Sequence, residues 1–195
     1  MDESTKTRFR LADPERDAGG VRAIYAPIVN ETAISFEAVA PTTDAMAQLM
    51  ADTLTHWPWI VCEADSGLLG YAYACRHRVR AAYAWAVDVS IYLSPAARGR
   101  GLGRALYERL LSLLRLLGYH NAFAGIALPN PASVGLHEAL GFTPVARYRN
   151  VGFKQGAWHD VGWWQLELLP CDRTPSAPRL VADLIHTPEW RALLP

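Results

Sequence analysis

An excess of charge of either sign is missing from this sequence: 19 basic and 19 acidic side chains cancel to a formal net charge of zero. Non-specific binding to nucleic acid or to an anionic membrane needs surplus Lys and Arg, so neither is the expected task of the chain. Long apolar runs are missing too. Although 51% of the residues are hydrophobic, no run reaches the roughly 18 residues that span a bilayer. The stretch from Met1 to Arg10 is polar and lacks the apolar segment of a signal peptide. Cysteine is scarce and scattered as Cys62, Cys75 and Cys171, with no CxxC pair. Such a set reads as reduced thiols of a cytoplasmic protein, not as a disulfide framework or zinc site. The histidines outside position 137 (His56, His77, His120, His159, His186) show no metal-ligand spacing, so no metal is expected. Internal repeats and low-complexity segments are absent as well.

What is present suits one domain with a real core, since 195 residues are enough to bury one. Arg8 to Ala12 reads as a strand. Asp13-Pro14-Glu15 then reads as a helix start, with Asp13 as N-cap, and the helix runs to about Val29. Residues 30 to 41 are loop-like, and Thr43 to Leu54 is a second helix. Trp59 to Glu63 and Leu68 to His77 form a hairpin about Asp65-Ser66-Gly67. Tyr83 to Leu93 alternates as a further strand, with Asp88, Ser90 and Tyr92 on one face and Val87, Val89, Ile91 and Leu93 on the other. Leu102, Leu106, Leu110, Leu113, Leu114 and Leu117 recur at helical spacing up to a stop at Gly118. A strand at Asn121–Leu128, a short helix at 131–140 and strands at 144–152 and 158–168 complete an α+β order with a mostly antiparallel sheet. The chain divides at 169 into this domain and a proline-rich appendage, 170–195, which carries an isolated amphipathic stretch.

Between the strand that ends at Pro95 and the leucine-rich helix lies Arg98-Gly99-Arg100-Gly101-Leu102-Gly103. Glycines let main chain approach an anion, a helix start offers unpaired N–H groups, and Arg98, Arg100 and Arg104 add positive charge. A pyrophosphate suits these parts. A P-loop would need Gly-Lys followed by Ser or Thr, and a Rossmann fingerprint a parallel βαβ unit with a later acid; neither is present.

Arg98-x-x-Gly101-x-Gly103 resembles the acetyl-CoA loop of the GNAT superfamily. The segment Asn130-Pro-Ala-Ser133 through His137-Glu-Ala-Leu-Gly-Phe142 resembles its second motif. The likeness narrows further. Trp57-Pro58-Trp59, Gly70-Tyr-Ala-Tyr73, Ala82-Tyr83-Ala84-Trp85, Gly152-Phe-Lys-Gln-Gly156 and Trp158-His-Asp-Val-Gly162 are similar to the phosphinothricin and methionine sulfoximine N-acetyltransferases, over about Arg8 to Leu168. The resemblance implies the GNAT fold, with central strands splayed at the acetyl-CoA site and helices on both faces. It implies that main chain at Ile91, Tyr92 and Leu93 pairs with the pantetheine arm of the cosubstrate acetyl-CoA. Residues Arg98, Gly99, Arg100, Gly101, Leu102, Gly103 and Arg104 would hold the pyrophosphate, and Asn130 and Ser133 would face the thioester end.

For the chemistry, Asp88 aligns with the family's acidic residue, usually Glu, assigned as base. The shorter side chain favours a bridging water, and an ordinary strand acid paired with an arginine is the competing reading. His137 stands four residues before Gly141, where the resemblance places a proton-relaying histidine; a structural helix histidine is the competing reading. His159 supports the substrate-side wall or caps a turn. Arg78 and Arg80 could fork a carboxylate or phosphinate, or simply be a solvated charge pair. Phe36 and Tyr83 match aromatic positions of the acceptor pocket, and Val161 lies near a neighbour's pocket in the homodimers the resemblance implies. Trp163 and Trp164 alternate onto opposite faces, so one of them can meet a partner. The function expected is transfer of an acetyl group to a small amino-acid-like amine, with detoxification as its purpose. A GNAT enzyme for another amine (polyamine, aminoglycoside or protein terminus) and a non-catalytic acetyl-CoA sensor stay open at this point.

Overall fold

A computed structural model describes residues 7–171 and 174–194; the polar start from Met1 to Lys6 lies outside the described residues. Seven strands form one open sheet in the order β1-β2-β3-β4-β5-β7-β6. They are β1 (Arg8–Leu11), β2 (Trp59–Ala64), β3 (Gly67–Arg76), β4 (Ala86–Leu93), β5 (Asn121–Leu128), β6 (Thr143–Lys154) and β7 (Ala157–Glu167). Every pair is antiparallel except β4 with β5, which is parallel. That exception is where the sheet opens. The β4–β5 ladder holds only from Ala86 with Asn121 to Asp88 with Phe123, and beyond it the two strands part.

On one face lie α1 (Pro14–Glu31) and α2 (Thr43–Leu54). Asp13 caps α1 by accepting from the N–H groups of Glu15 and Arg16, which satisfies donors a helix start leaves open. Val21, Ile24, Met46 and Met50 press there on Trp59 and Tyr71. Arg10 ties the same end down, bonding Asp17 at 2.6 and 2.8 Å and Glu63 at 2.7 Å. Both carboxylates are buried, and the Arg10 guanidinium holds that of Glu63 below the usual carboxylate range.

The other face carries α3 (Leu102–Leu117) and α4 (Pro131–Ala139). The heptad-like leucines of α3 explain its place: Leu106, Leu110, Leu113, Leu114 and Leu117 are fully buried, each contributing about 2 kcal/mol of apolar burial. The segment after 169 packs on this helix through α5 (Val181–Leu184) and α6 (Pro188–Leu193). Val181, Leu184, Trp190 and Leu194 join the cluster around α3, and Arg179 N–H donates to Leu117 O at 2.8 Å.

One sequence expectation needs correcting. The strand expected from Tyr83 begins at Ala86, because Ala81–Tyr83 forms a 3-10 turn. Tyr83 N–H bonds Arg80 O and Ala84 N–H bonds Ala81 O, so local i→i+3 bonds satisfy main chain that has run past the end of β3 and has no strand to pair with.

Candidate active site

The parting of β4 and β5 makes a gap floored by the Asp88–Phe123 rung. Its walls are Val89 to Tyr92 on one side and Ala124 to Ala127 on the other, with Asn130, Ser133 and His137 from the α4 side. Toward the surface it widens into a hollow of about 230 Å³ lined by Ile91, Tyr92, Leu93, Arg98, Asn130 and Ser133, among others. On its other edge β4 is paired with β3 as far as Leu93. Along the gap, therefore, the main chain of Ile91 to Leu93 offers an edge to which an extended ligand can add as a strand would.

The loop at the mouth is shaped for an anion. Gly99 and Gly101 take φ of 72° and 76°, the left-handed region that costs a residue with a Cβ about 1–2 kcal/mol. Gly101 is the N-cap of α3 and no side chain caps that end, so the first N–H groups of a 16-residue helix remain open to a ligand. Gly103 lets α3 approach closely: a Cβ there would lie 3.3 Å from Leu93 and 3.4 Å from Leu136. Arg98 lines the hollow and Arg100 is exposed beside it. Arg104 instead donates to Glu108 at 3.2 Å and to Ala139 O at 3.0 Å, tying α3 to the end of α4. The residues present fit a pyrophosphate followed by a flexible, amide-bearing arm.

Asn130 is the N-cap of α4, its Oδ1 accepting from Ser133 N–H at 3.2 Å, and both residues face the gap. His137 lies deeper and is 2% exposed. Its Nδ1 is 2.7 Å from Ser133 O and its Nε2 3.0 Å from the Tyr107 hydroxyl. A carbonyl only accepts, so Nδ1 carries the hydrogen and Nε2 accepts from Tyr107. Burial pushes the His137 pKa below its ordinary value, with the bond to Ser133 opposing. Both ring nitrogens of this neutral histidine are engaged, and any proton it relays must pass through Tyr107, another wall of the gap.

At the floor, Asp88 has a partner that sequence reasoning passed over. His77 Nδ1 is 2.6 Å from Asp88 Oδ1. Burial lifts the Asp88 carboxyl above its usual range, while the bond to His77 and the charges of His77 and Arg78 draw it down. The His77 ring stacks on Phe123 at 4.4 Å, with Tyr83 at 5.9 Å and Trp163 at 6.1 Å edge-on. Antiparallel register was the signal that could have found it: Cys75 faces Asp88 and Arg76 faces Val87, so residues 75 and 77 share the face of residue 88.

Arg78 and Tyr83 belong to this cluster. Arg78 donates to the His77 carbonyl at 2.7 Å and lies over the Trp163 ring at 5.5 Å. With Trp57, Arg76, Val79 and Arg80 they line a separate hollow of about 250 Å³. Among the described residues none of Arg76, Arg78 and Arg80 forms an ion pair. Phe36 stands apart against the β6–β7 hairpin, so close to Gly152 that a Cβ there would lie 2.2 Å from its ring. Lys154 fixes the Phe36 loop by donating to Val29 O and Ser35 O, each at 2.6 Å. Val161 pairs with Ala127 and Tyr148, on the Trp163 face of β7. Trp164 is buried on the opposite face and donates to Glu138 at 3.2 Å. His159 bonds Lys154 O at 3.0 Å and sits 6.3 Å from the Phe36 ring. Among the described residues no group of three or more His, Cys, Asp or Glu is placed to hold a metal.

Comparison with known proteins agrees with this geometry. Residues 12–163 match the family described as acetyltransferase (GNAT) domain. The chain is 35% identical over 163 residues to a phosphinothricin N-acetyltransferase of Streptomyces viridochromogenes, covering 83% of this chain and 89% of that protein. It is 36% identical over 161 residues to an L-methionine sulfoximine/L-methionine sulfone acetyltransferase of Salmonella typhimurium, covering 82% and 94%. Among solved structures, a GNAT phosphinothricin acetyltransferase from Sinorhizobium meliloti in complex with acetyl-CoA superposes with a TM-score of 0.83 at 34% identity, covering 87% of this chain and 93% of that one. On the family match over residues 12–163, the identity to these relatives and the shared fold, the chain belongs to the GNAT acetyltransferase family.

Proposed function

We propose that this protein is an acetyl-CoA-dependent N-acetyltransferase that acetylates, by direct transfer, the amine of a small acidic amino-acid analogue of the phosphinothricin, methionine sulfoximine or methionine sulfone type. The observation that carries the reading is the position of Asp88 at the last β4–β5 rung. A carboxyl with its hydrogen-bonded histidine at that rung supports the reading, because a strand-like cosubstrate lying in the gap would end beside it. Acetyl-CoA would supply an acetyl group activated as a thioester. The chain's own tasks are to hold it along β4, to free the amine of a proton, and to seat the acceptor's acid group. Arg78 and Arg80 serve the last of these, and a polyamine or aminoglycoside pocket would be acidic instead.

The setting we propose is a cytoplasmic homodimer engaged in detoxification. All three cysteines are free, as a reducing compartment keeps them. β6 is a sheet edge along its 12 residues, and its exposed Phe153 packs edge-on against exposed Trp158; a second copy would cover both. Light scattering on the purified protein tests the dimer: a monomer at micromolar concentration would sink it.

The activity is tested by thiol release from acetyl-CoA with phosphinothricin, methionine sulfoximine, methionine sulfone, spermidine and a peptide amine as acceptors. Turnover of the first three is the expected result. Turnover of spermidine or peptide alone would overturn the acceptor class. Acetyl-CoA binding without turnover on a wider panel would point to a sensor.

A further inference from the structure

We infer that His77 is the atom-level proton acceptor of this enzyme: the base that frees the amine is a His77–Asp88 dyad, with Asp88 orienting the ring and balancing its charge. The inference rests on the acetyltransferase reading above and adds a catalytic residue to it.

Geometry carries it first. The 2.6 Å contact joins Nδ1 to one carboxylate oxygen, so in the resting pair Nδ1 carries the hydrogen and donates it to Asp88. In the neutral form of the ring, Nε2 is then the nitrogen that carries the lone pair. Among the described residues Nε2 has no hydrogen-bond partner, and the His77 side chain keeps about a tenth of its surface exposed. The ring is held in that pose by the Phe123 stack and by the edges of Tyr83 and Trp163. Tyr83 and Arg78, which flank it, also line the arginine-rich hollow. The ring lies on the sheet face of Asp88, beside the floor of the gap.

Chemistry carries it further. As free groups, an imidazole is a stronger base than a carboxylate. An imidazole is also better matched to an ammonium at neutral pH than a carboxylate is. The charged groups facing the ring are Asp88 on β4 and Arg78 beyond β3, with the Tyr83 ring and Cys75 thiol nearby. In the reaction the acceptor ammonium gives one proton to Nε2. Its nitrogen then bonds the acetyl carbon as the carbon–sulfur bond breaks. Of the remaining two protons, one stays on the amide nitrogen and the other ends on the departing thiolate.

The test joins chemical rescue to a tautomer measurement. His77→Ala should lower kcat with methionine sulfone about 100- to 1000-fold, with the KM for acetyl-CoA within about twofold of the parent. Added imidazole, fitting the space beside Phe123, should restore rate about tenfold, and less basic azoles such as triazole should restore less. A purely positioning role would show no dependence on azole basicity. Independently of turnover, nitrogen-15 spectra of the unliganded protein should show Nδ1 of His77 protonated and Nε2 bare, and Asp88→Asn should abolish that preference. Thermal unfolding of each variant confirms that it is folded. His77→Ala keeping more than a tenth of kcat, or losing it with no rescue by any azole, would overturn the proposal. If the parent acetylates none of the acceptors, the acceptor reading has failed, and the spectra alone decide: Nε2 protonated in the parent overturns the dyad, Nδ1 protonated supports it.

Discussion

From Leu93 to the start of α3, the parts that would meet the cosubstrate are main chain: an unpaired edge of β4, two glycines at positive φ, and a helix start with no side-chain cap. At the floor and beyond, the parts that would meet the amine are side chains brought from four places. His77 follows β3, Asp88 sits in β4, Phe123 lies near the start of β5 and Trp163 comes from β7. The first region needs a backbone shape that few residues allow, so its sequence is constrained over a handful of consecutive positions. The second needs functional groups at points in space, which many sequences can supply. On the proposed function, binding of acetyl-CoA and choice of acceptor would be held by different kinds of structure, and the two should be separable by mutation.

The largest expected effect falls on the side-chain half. Asp88→Asn should lower kcat about 1000-fold while the Kd for acetyl-CoA, by calorimetry, stays within about twofold. An equal loss of both would mean that the floor supports cosubstrate binding, and the separation would be gone. Gly101→Val is the reverse experiment. A β-branched residue at φ 76° is strained, so the loop must shift and carry the N–H groups of α3 away from the pyrophosphate. The Kd for acetyl-CoA should rise about tenfold, the equivalent of about 1.4 kcal/mol, with the acceptor KM measured at saturating acetyl-CoA unchanged.

The same difference decides what could be read from the sequence. Asn121–Leu128 and Thr43–Leu54 stand as expected because periodicity and turn residues bound them locally. The loop from Arg98 to Gly103 was legible for a similar reason: φ and capping are written in adjacent residues. Tyr83 was drawn into a strand because its alternation continues that of β4, and nothing local reveals that β3 has already ended at Arg76. His77 was passed over because its meaning depends on which residue lies across the ladder. The packing of Val181, Leu184 and Trp190 on α3 was likewise invisible, since an amphipathic stretch does not name the face it will cover.

A smaller effect sharpens the acceptor half. Phe36 is seated by Gly152, where a Cβ would lie 2.2 Å from the ring. Gly152→Ala must push Phe36 aside at a cost of about 1 kcal/mol. If Phe36 walls the acceptor pocket, the acceptor KM should rise about fivefold with acetyl-CoA binding intact. An unchanged KM would remove Phe36 from the pocket and leave it a packing residue of the loop that Lys154 fixes.

The smallest effect concerns the second histidine, and it separates a working group from a structural one. His137 is buried and neutral, with Nδ1 donating to Ser133 O and Nε2 accepting from Tyr107, and its folded pKa lies below the ordinary value. In the unfolded chain a histidine binds a proton as the pH falls through about 6.5. Between that value and the lower folded pKa the unfolded state holds more protons, so stability is lost as the pH falls and is fully present above about 6.5. Lowering the pH from 7.5 to 5.5 should thus reduce Tm, and this residue should carry a share of the fall. His137→Gln can still bond Ser133 or Tyr107 but does not titrate, so its Tm, lower at the start, should fall less over the same interval. The same slope in both proteins would show that His137 does not carry the pH dependence. If the slope falls and kcat survives, position 137 holds the wall of the gap in place, and the proton traffic belongs to the floor.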